Sequence, residues 1–187
     1  SNIKIKDLYK DGLQRDQFIP FINIIKIFCT EHELAVNQDY RKSSISKLER
    51  FFYPNNDQTF FQANSIFREI TKEKINNPRH IISKGRNFLI KKYFDGIVRF
   101  NFNEICGVPI GAEDYRKIAD CCSFILIDSV PNFSDENADK QQRFITLIDI
   151  LYEKKIPIMI TANFNYKNFK SSRRLIDSYK RTISRLF

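Results

Sequence analysis

Apolar residues near the start of the chain recur at intervals of three and four, which predicts an amphipathic helix from about Asp16 to Thr30. Asp16 is placed to cap this helix, and Pro20 falls in the first turn, where a missing N–H costs little. The positions that share its apolar face are Phe18, Phe21, Ile22, Ile25, Phe28 and Cys29. We expect this face to be buried in a core or an interface.

The next part of the chain predicts a short strand at 33–37, a turn at FFYPNND and a second amphipathic helix from about Gln58 to Glu73. From His80 the spacing of apolar residues changes to two. HIISKGR, NFLIKK and GIVRFNF are therefore predicted to be three short strands, with turns at Gly85 and Gly96.

Two continuous apolar runs lie in the last third of the chain. SFILIDS and IPIMITA are typical of strands buried on both faces of a parallel sheet. A helix from Asp139 to Glu153 is predicted between them, and SSRRLIDSYKRTISRLF closes the chain as a basic helix. The sum is a mixed α/β protein of helices and short strands.

Composition supports a folded protein and adds a charge asymmetry. The 187 residues are 42% hydrophobic and 14% aromatic, and no stretch approaches the roughly 20 apolar residues of a membrane span. Of the net charge of +9, +8 lies in residues 154–187, which hold nine Lys/Arg and one acid. A basic helix of this kind meets nucleic acid, anionic lipid or an acidic protein face, or is simply solvated.

Cysteine and histidine usage gives no metal site. The four cysteines show no metal-ligand spacing, and two histidines, His32 and His80, do not complete one. We therefore expect no bound metal held by this chain, and idle thiols in a reducing compartment such as the cytosol.

Motifs for self-sufficient catalysis are missing from the sequence. None of the five glycines belongs to G-x-x-x-x-G-K-[ST], G-x-G-x-x-G or G-x-S-x-G. FILIDS, a helix and IMITAN nevertheless resemble the strands beside the nucleotide of a P-loop ATPase, although Ser129 follows Asp128 where such a strand carries Glu. SNIKIKDLYK at the start is echoed by ANFNYKNFK at 162–170, each with Asn and then an aromatic or apolar pair.

Motifs along the whole chain resemble one family. SNIKIKDLYKDGLQRDQFIPFI is similar to the segment after the nucleotide-sensing strand of the ZapE/AFG-one-like ATPases, a branch of the AAA+ superfamily. The further matches, in the family's order, are DYR at 39–41, GR at 85–86, RFNFNEICGVPIGAEDY at 99–115, SVP at 129–131, QRFITLIDILY at 142–152 and RTISRLF at 181–187. The resemblance implies the carboxyl-terminal half of such an ATPase, with the P-loop half upstream.

The resemblance also suggests site residues. Asn2 matches the family's sensor, unless Ser1-Asn2 is a cloning scar, and Arg15 matches the arginine of GLQR, which in related AAA+ proteins reaches the nucleotide of a neighbouring subunit. Arg143 is the candidate second sensor. Arg181 and Arg185 are left open between phosphate, an acidic partner and solvent.

What the resemblance implies is an ATPase that uses Mg²⁺ and ATP, forms a homo-oligomer and remodels a protein partner in cell division or protein quality control. Residues 1–31 would end the ATPase core and 32–187 would form the carboxyl-terminal region. The protein would act in the cytoplasm or peripherally at the inner membrane, and this chain alone would be inactive. The alternative is a basic module at 154–187 that binds nucleic acid or an acidic protein.

Overall fold

The computed structural model describes residues 15–28, 50–83, 85–165 and 167–186. The chain divides into two compact units, Ser1–Asp39 and Tyr40–Phe187. The predicted strand at 33–37 and the DYR motif lie outside the described residues. The boundary predicted after residue 31 stays a prediction.

In the first unit, α1 spans Arg15–Phe28 and confirms the predicted helix. Asp16 does not cap it, and Pro20 lies inside the helix and not in its first turn, because the helix already begins at Arg15. The Asp16 carboxylate lies in the first turn, where its negative charge interacts favourably with the positive end of the helix dipole. The expected apolar face is only partly buried. Ile22 is 4% exposed, whereas Phe21 is 49% and Phe28 82% exposed.

The second unit is built on a five-stranded sheet. Its strands are β1 (Phe51–Phe52), β4 (Lys92–Phe94), β5 (Ile97–Asn101), β6 (Phe124–Val130) and β7 (Ile158–Ala162), and a separate antiparallel hairpin pairs β2 (Arg79–Ser83) with β3 (Arg86–Ile90). The order across the sheet is β1-β7-β6-β5-β4. The first four of these are mutually parallel, and β4 is antiparallel to β5.

Helices cover both faces of this sheet. They are α2 (Asp57–Ile70), α3 (Phe102–Ile105), α4 (Ala112–Asp120), α5 (Ala138–Glu153) and α6 (Ile176–Leu186). The apolar side of α2 packs on one face, against side chains of β1, β5, β6 and β7. α4, α5 and α6 pack on the other face in the larger core. Coverage of both faces explains why β6 has a continuous apolar run.

Three predictions about elements need correction. FFYPNND is not only a turn, because Phe51 and Phe52 form a strand that pairs in parallel with Ile160 and Thr161 of β7. The strand β4 was not expected from the apolar pattern. The last helix is shorter than predicted, since a 3₁₀ turn at Arg173–Leu175 precedes it.

Candidate functional site

The carboxyl ends of the parallel strands bring several polar side chains to one edge of the sheet. Asn101 ends β5 and is the register partner of Asp128, near the end of β6. Thr161 lies near the end of β7. This edge is where open α/β sheets place their ligands, so it is the natural candidate site in the second unit.

A buried ion pair occupies the centre of this edge. Arg99 Nε lies 2.5 Å from Asp128 Oδ2, and Arg99 Nη2 lies 3.2 Å from Asp128 Oδ1, which makes the pair bidentate. Both residues are 7% exposed. Arg99 Nη1 also donates to Asn64 Oδ1 at 2.5 Å.

Two aromatic rings of α2 complete the surroundings of this guanidinium. The Arg99 Cζ lies 5.3 Å from the ring centre of Phe60 and 5.2 Å from that of Phe67. A cation over an aromatic face is attracted by the ring quadrupole. Asp128, Asn64 and these two rings thus surround the Arg99 guanidinium.

Neighbouring side chains join the ends of β1, β6 and β7. Asn55 Nδ2 donates to Ser129 Oγ at 3.0 Å, and the Ser129 N–H donates to Thr161 Oγ1 at 2.8 Å. Asn165 Nδ2 donates to the Tyr53 hydroxyl at 2.8 Å. Ser129 adopts a φ of 61°, a left-handed conformation that costs a non-glycine residue about 1–2 kcal/mol. Hydrogen bonds at both its N–H and its hydroxyl hold it there.

The arginine and asparagine suggested by the resemblance fall in the first unit. Arg15 is the first residue of α1 and is partly exposed. Asn2 lies outside the described residues. Their roles as finger and sensor stay predictions.

Arg143 has two contacts within the second unit. Its Nη1 donates to the Cys106 carbonyl oxygen at 3.0 Å, and its Nη2 lies 3.0 Å from Asp139 Oδ2, one turn earlier on α5. Its side chain is 24% exposed. These contacts tie α5 to the end of α3, and the role of second sensor stays a prediction.

Arg181 and Arg185 meet an acidic residue of the same chain. Both guanidinium groups pair with the Asp149 carboxylate on α5, Arg181 Nη2 at 3.5 Å and Arg185 Nη1 more closely. Arg185 also lies over the Tyr152 ring, 5.0 Å from its centre. The RTISRLF motif therefore fastens α6 to α5.

The GR motif has a similar internal contact. Arg86 Nη2 lies 2.7 Å from Asp114 Oδ2, and its Nη1 donates to the Pro109 carbonyl. Burial opposes ionisation of Asp114, but hydrogen bonds from the Gly111 N–H and Arg86 and the charge of Arg86 lower its pKa overall. Two stretches that resemble the family, 85–86 and 99–115, thus meet and fix the β2–β3 hairpin.

Two adjacent thiols lie at the end of α4. Cys121 Sγ and Cys122 Sγ are 4.0 Å apart. A hydrogen bond from Cys122 lowers the pKa of Cys121 to about 7, against partial burial and with help from the charge of Arg79. The pKa of Cys122 is raised by the same neighbour and by burial.

Alkylation of Cys121 by iodoacetamide is expected to rise with pH around 7, because only the thiolate is nucleophilic. Tandem mass spectrometry after timed labelling gives the rate at each residue. Cys106 serves as the internal control, since burial raises its pKa to about 12. Cys122→Ala should shift the Cys121 profile to higher pH. A Cys121 profile centred near 9 in the unmodified chain would contradict the prediction.

Metal-binding clusters and membrane-spanning helices are both absent from the described part of the chain. Within it, no group of three or more His, Cys, Asp or Glu side chains is arranged to hold a metal ion. None of its helices combines the length and apolar character that crossing a membrane requires.

A mainly parallel sheet covered by helices on both faces, with polar residues at the strand ends, is an α/β fold of the type found in P-loop ATPases. The family model described as AFG1-like ATPase matches residues 1–187, so the chain belongs to that family. This confirms the family suggested by the motifs.

Similar proteins support the same family assignment. The chain is 32% identical over 166 residues to Lactation elevated protein 1 homolog B of Danio rerio, covering 87% of this chain and 33% of that protein. It is 33% identical over 171 residues to the uncharacterized protein C115.02c of Schizosaccharomyces pombe, covering 87% and 36%.

A bacterial relative aligns along the whole chain. The Escherichia coli cell division protein ZapE is 24% identical over 186 residues, covering 100% of this chain and 50% of that protein. The chain thus spans between a third and half of the length of these relatives. No solved structure gives a significant match.

Arg99 and Asn64 were not among the site residues predicted from the sequence. The available signal was an arginine inside the apolar strand segment GIVRFNF, at a position that faces inward. A buried arginine requires a partner, but the sequence does not identify Asp128 and Asn64 as that partner set.

Proposed function

We propose that this chain is the carboxyl-terminal part of an AAA+ ATPase and completes the ATP site of a neighbouring subunit through Arg15. The observation that carries this proposal is the match to an ATPase family over residues 1–187, in a chain without a phosphate-binding loop. A guanidinium is permanently charged, planar and able to bridge phosphate oxygens, which suits it to charge that develops in phosphoryl transfer.

The described residues of this chain do not fit Mg²⁺ and ATP as ligands. The carboxylate at the end of β6 is held by Arg99, and the chain has no Gly-rich loop with Lys to hold phosphates. ATP would therefore bind upstream residues in the longer protein. Asn2 and Arg143 remain candidate sensors of that nucleotide.

The proposed activity is ATP hydrolysis coupled to remodelling of a protein partner by a homo-oligomer, in the cytoplasm or at the inner membrane surface. The relative ZapE carries the name of a cell division protein. We propose that this chain acts either in cell division or in protein quality control. The exposed side of α1, with Ile24, Ile27 and Phe28, offers apolar surface to the ATPase half or to a second subunit.

The alternative of a basic binding module is less favoured. At least five of the nine basic side chains in 154–187 pair with acids of the same chain, namely Lys154, Arg173, Lys180, Arg181 and Arg185. Such pairing reduces the charge that phosphates of a nucleic acid would meet. Steep loss of nucleic-acid binding with salt would revive this alternative.

The decisive experiment joins the upstream ATPase half to this chain and measures ATP hydrolysis against protein concentration. We expect the rate per subunit to rise with concentration and then level off, because each site needs an arginine from another subunit. The 187-residue chain alone is the control and should show no turnover. If the rate per subunit were the same below and above the concentration at which the subunits assemble, an ATP site shared between subunits would be contradicted.

A further inference from the structure

The connections that follow β1 and β7 leave the sheet toward opposite faces. β1 leads into α2 on one face, whereas β5, β6 and β7 lead into the helices of the other. β1 and β7 are neighbours in the sheet. In open parallel sheets, a ligand binds at the carboxyl ends where adjacent connections part in this way. The β1–β7 junction is therefore the ligand position of this topology.

The loop between β1 and α2 occupies the place of a phosphate loop, which joins a strand to a helix. Residues 53–56 read Tyr-Pro-Asn-Asn and contain neither glycine nor lysine. The first turn of α2 is also capped internally. Asn56 Oδ1 accepts from the Thr59 N–H at 3.0 Å, and the Thr59 hydroxyl donates to the Pro54 carbonyl at 2.6 Å. The cap occupies the Thr59 N–H, and the loop offers neither a glycine-rich cradle nor a lysine to a phosphate.

The carboxylate that a P-loop ATPase offers to magnesium is also engaged. Asp128 lies near the end of β6, the strand of the FILIDS resemblance, and Arg99 contacts both of its oxygens. The guanidinium is fixed in turn by Asn64 and by the rings of Phe60 and Phe67. A permanent positive charge thus lies where a metal ion would be expected.

The next residue, Ser129, is likewise engaged in hydrogen bonds within the chain. Ser129 stands where the ATPase strand carries its glutamate, and its hydroxyl and N–H are tied to Asn55 and Thr161. The sequence echo adds an independent observation. Residues 162–170, which begin at the end of β7, share an asparagine at the second position and a lysine at the sixth with residues 1–10, which the resemblance assigns to a sensor segment.

We infer that residues 50–186 form a second ATPase-type core that holds no nucleotide, in which the Arg99 guanidinium is the resident counter-charge of Asp128. This goes beyond the proposed function, which concerns the ATP site that Arg15 would serve. Residues 50–186 would then be a structural counterpart of the active ATPase core that does not bind nucleotide.

The first experiment titrates the 187-residue chain with a methylanthraniloyl-labelled ATP and Mg²⁺. No saturable binding is expected. Saturable binding that Asp128→Asn abolishes would overturn the inference. Saturable binding that survives Asp128→Asn would also overturn it, because a nucleotide at the strand ends need not contact that carboxylate. ATPase assays of the longer protein test the proposed function separately.

The second experiment asks whether Arg99 replaces a metal ion. Mn²⁺ should raise the melting temperature of Arg99→Ala, because the freed carboxylate gains a counter-ion, and should not change that of the wild-type chain. The double variant Arg99→Ala/Asp128→Asn should lose this response. Arg116→Ala, which removes an exposed arginine of α4, is the matched control and should behave as wild type.

Arg99→Gln is the second variant, because its amide nitrogen stands about where Arg99 Nε contacts Asp128, so its fold is less at risk. A folded Arg99 variant that ignores Mn²⁺ would overturn the counter-charge role. Should neither variant fold, the nucleotide titration of the wild-type chain and of Asp128→Asn decides the inference alone.

Discussion

In the full-length ATPase proposed above, replacement of Arg15 by alanine is expected to lower turnover by about 10³–10⁵-fold while nucleotide affinity stays nearly unchanged. The reason is that an arginine finger acts on charge that develops during phosphoryl transfer and contributes little to the bound ground state. Steady-state turnover at saturating ATP gives the first quantity, and equilibrium binding of labelled ATP gives the second.

Two matched variants sharpen this test. Arg15→Lys keeps the charge but loses the planar fork, so it should recover only part of the rate. Arg116→Ala removes an exposed arginine of the second unit and should leave turnover as in wild type. Wild-type turnover by Arg15→Ala in the assembled oligomer would assign Arg15 a structural role at the start of α1.

Replacement of Arg99 by alanine is expected to destabilise the second unit by about 3–5 kcal/mol, because it leaves the buried Asp128 carboxylate without its counter-charge. The side chains of the pair are 8% and 10% exposed, so solvent screens the interaction little. Urea unfolding followed by circular dichroism measures the change in the free energy of unfolding.

Controls separate loss of one charge from loss of the pair. Arg99→Met with Asp128→Leu removes both charges and should recover most of the stability, since well-packed apolar residues often replace a buried pair without loss. Lys154→Ala breaks the more exposed pair with Asp120 and should cost about 1 kcal/mol or less. An Arg99→Ala cost no larger than that of Lys154→Ala would refute the importance of the buried pair.

Elements governed by local patterns were predicted well. The helix α5 follows from apolar residues such as Phe144, Leu147 and Leu151 at helical spacing, and all three are buried. β6 and β7 follow from continuous apolar runs flanked by polar residues. In these segments, the periodicity of the sequence agrees with the burial that the fold imposes.

Elements that depend on distant partners were not predictable. Phe51–Phe52 is too short to give a periodic signal and stands just before Tyr53-Pro54, so it reads as a turn. It becomes a strand because β7, more than 100 residues later, offers the edge with which it pairs. The same holds for Arg99, whose partners Asn64 and Asp128 lie 35 and 29 residues away.

The family motifs predicted the family but not what their residues do. Arg86, Arg181 and Arg185 were recognised as parts of family motifs, and in the structure each binds an aspartate of the same chain. Resemblance alone does not separate a residue retained for packing from one retained for chemistry. That distinction depends on which carboxylate each guanidinium reaches in three dimensions.

The two arginines on Asp149 have a consequence for sequence variation. Because Arg181 and Arg185 lie one helical turn apart and contact a single carboxylate, loss of either one leaves the other in place. Asp149 has no such substitute, since its removal leaves two like charges facing each other on α6. Natural variants should therefore tolerate change at one arginine at a time and resist change at the aspartate.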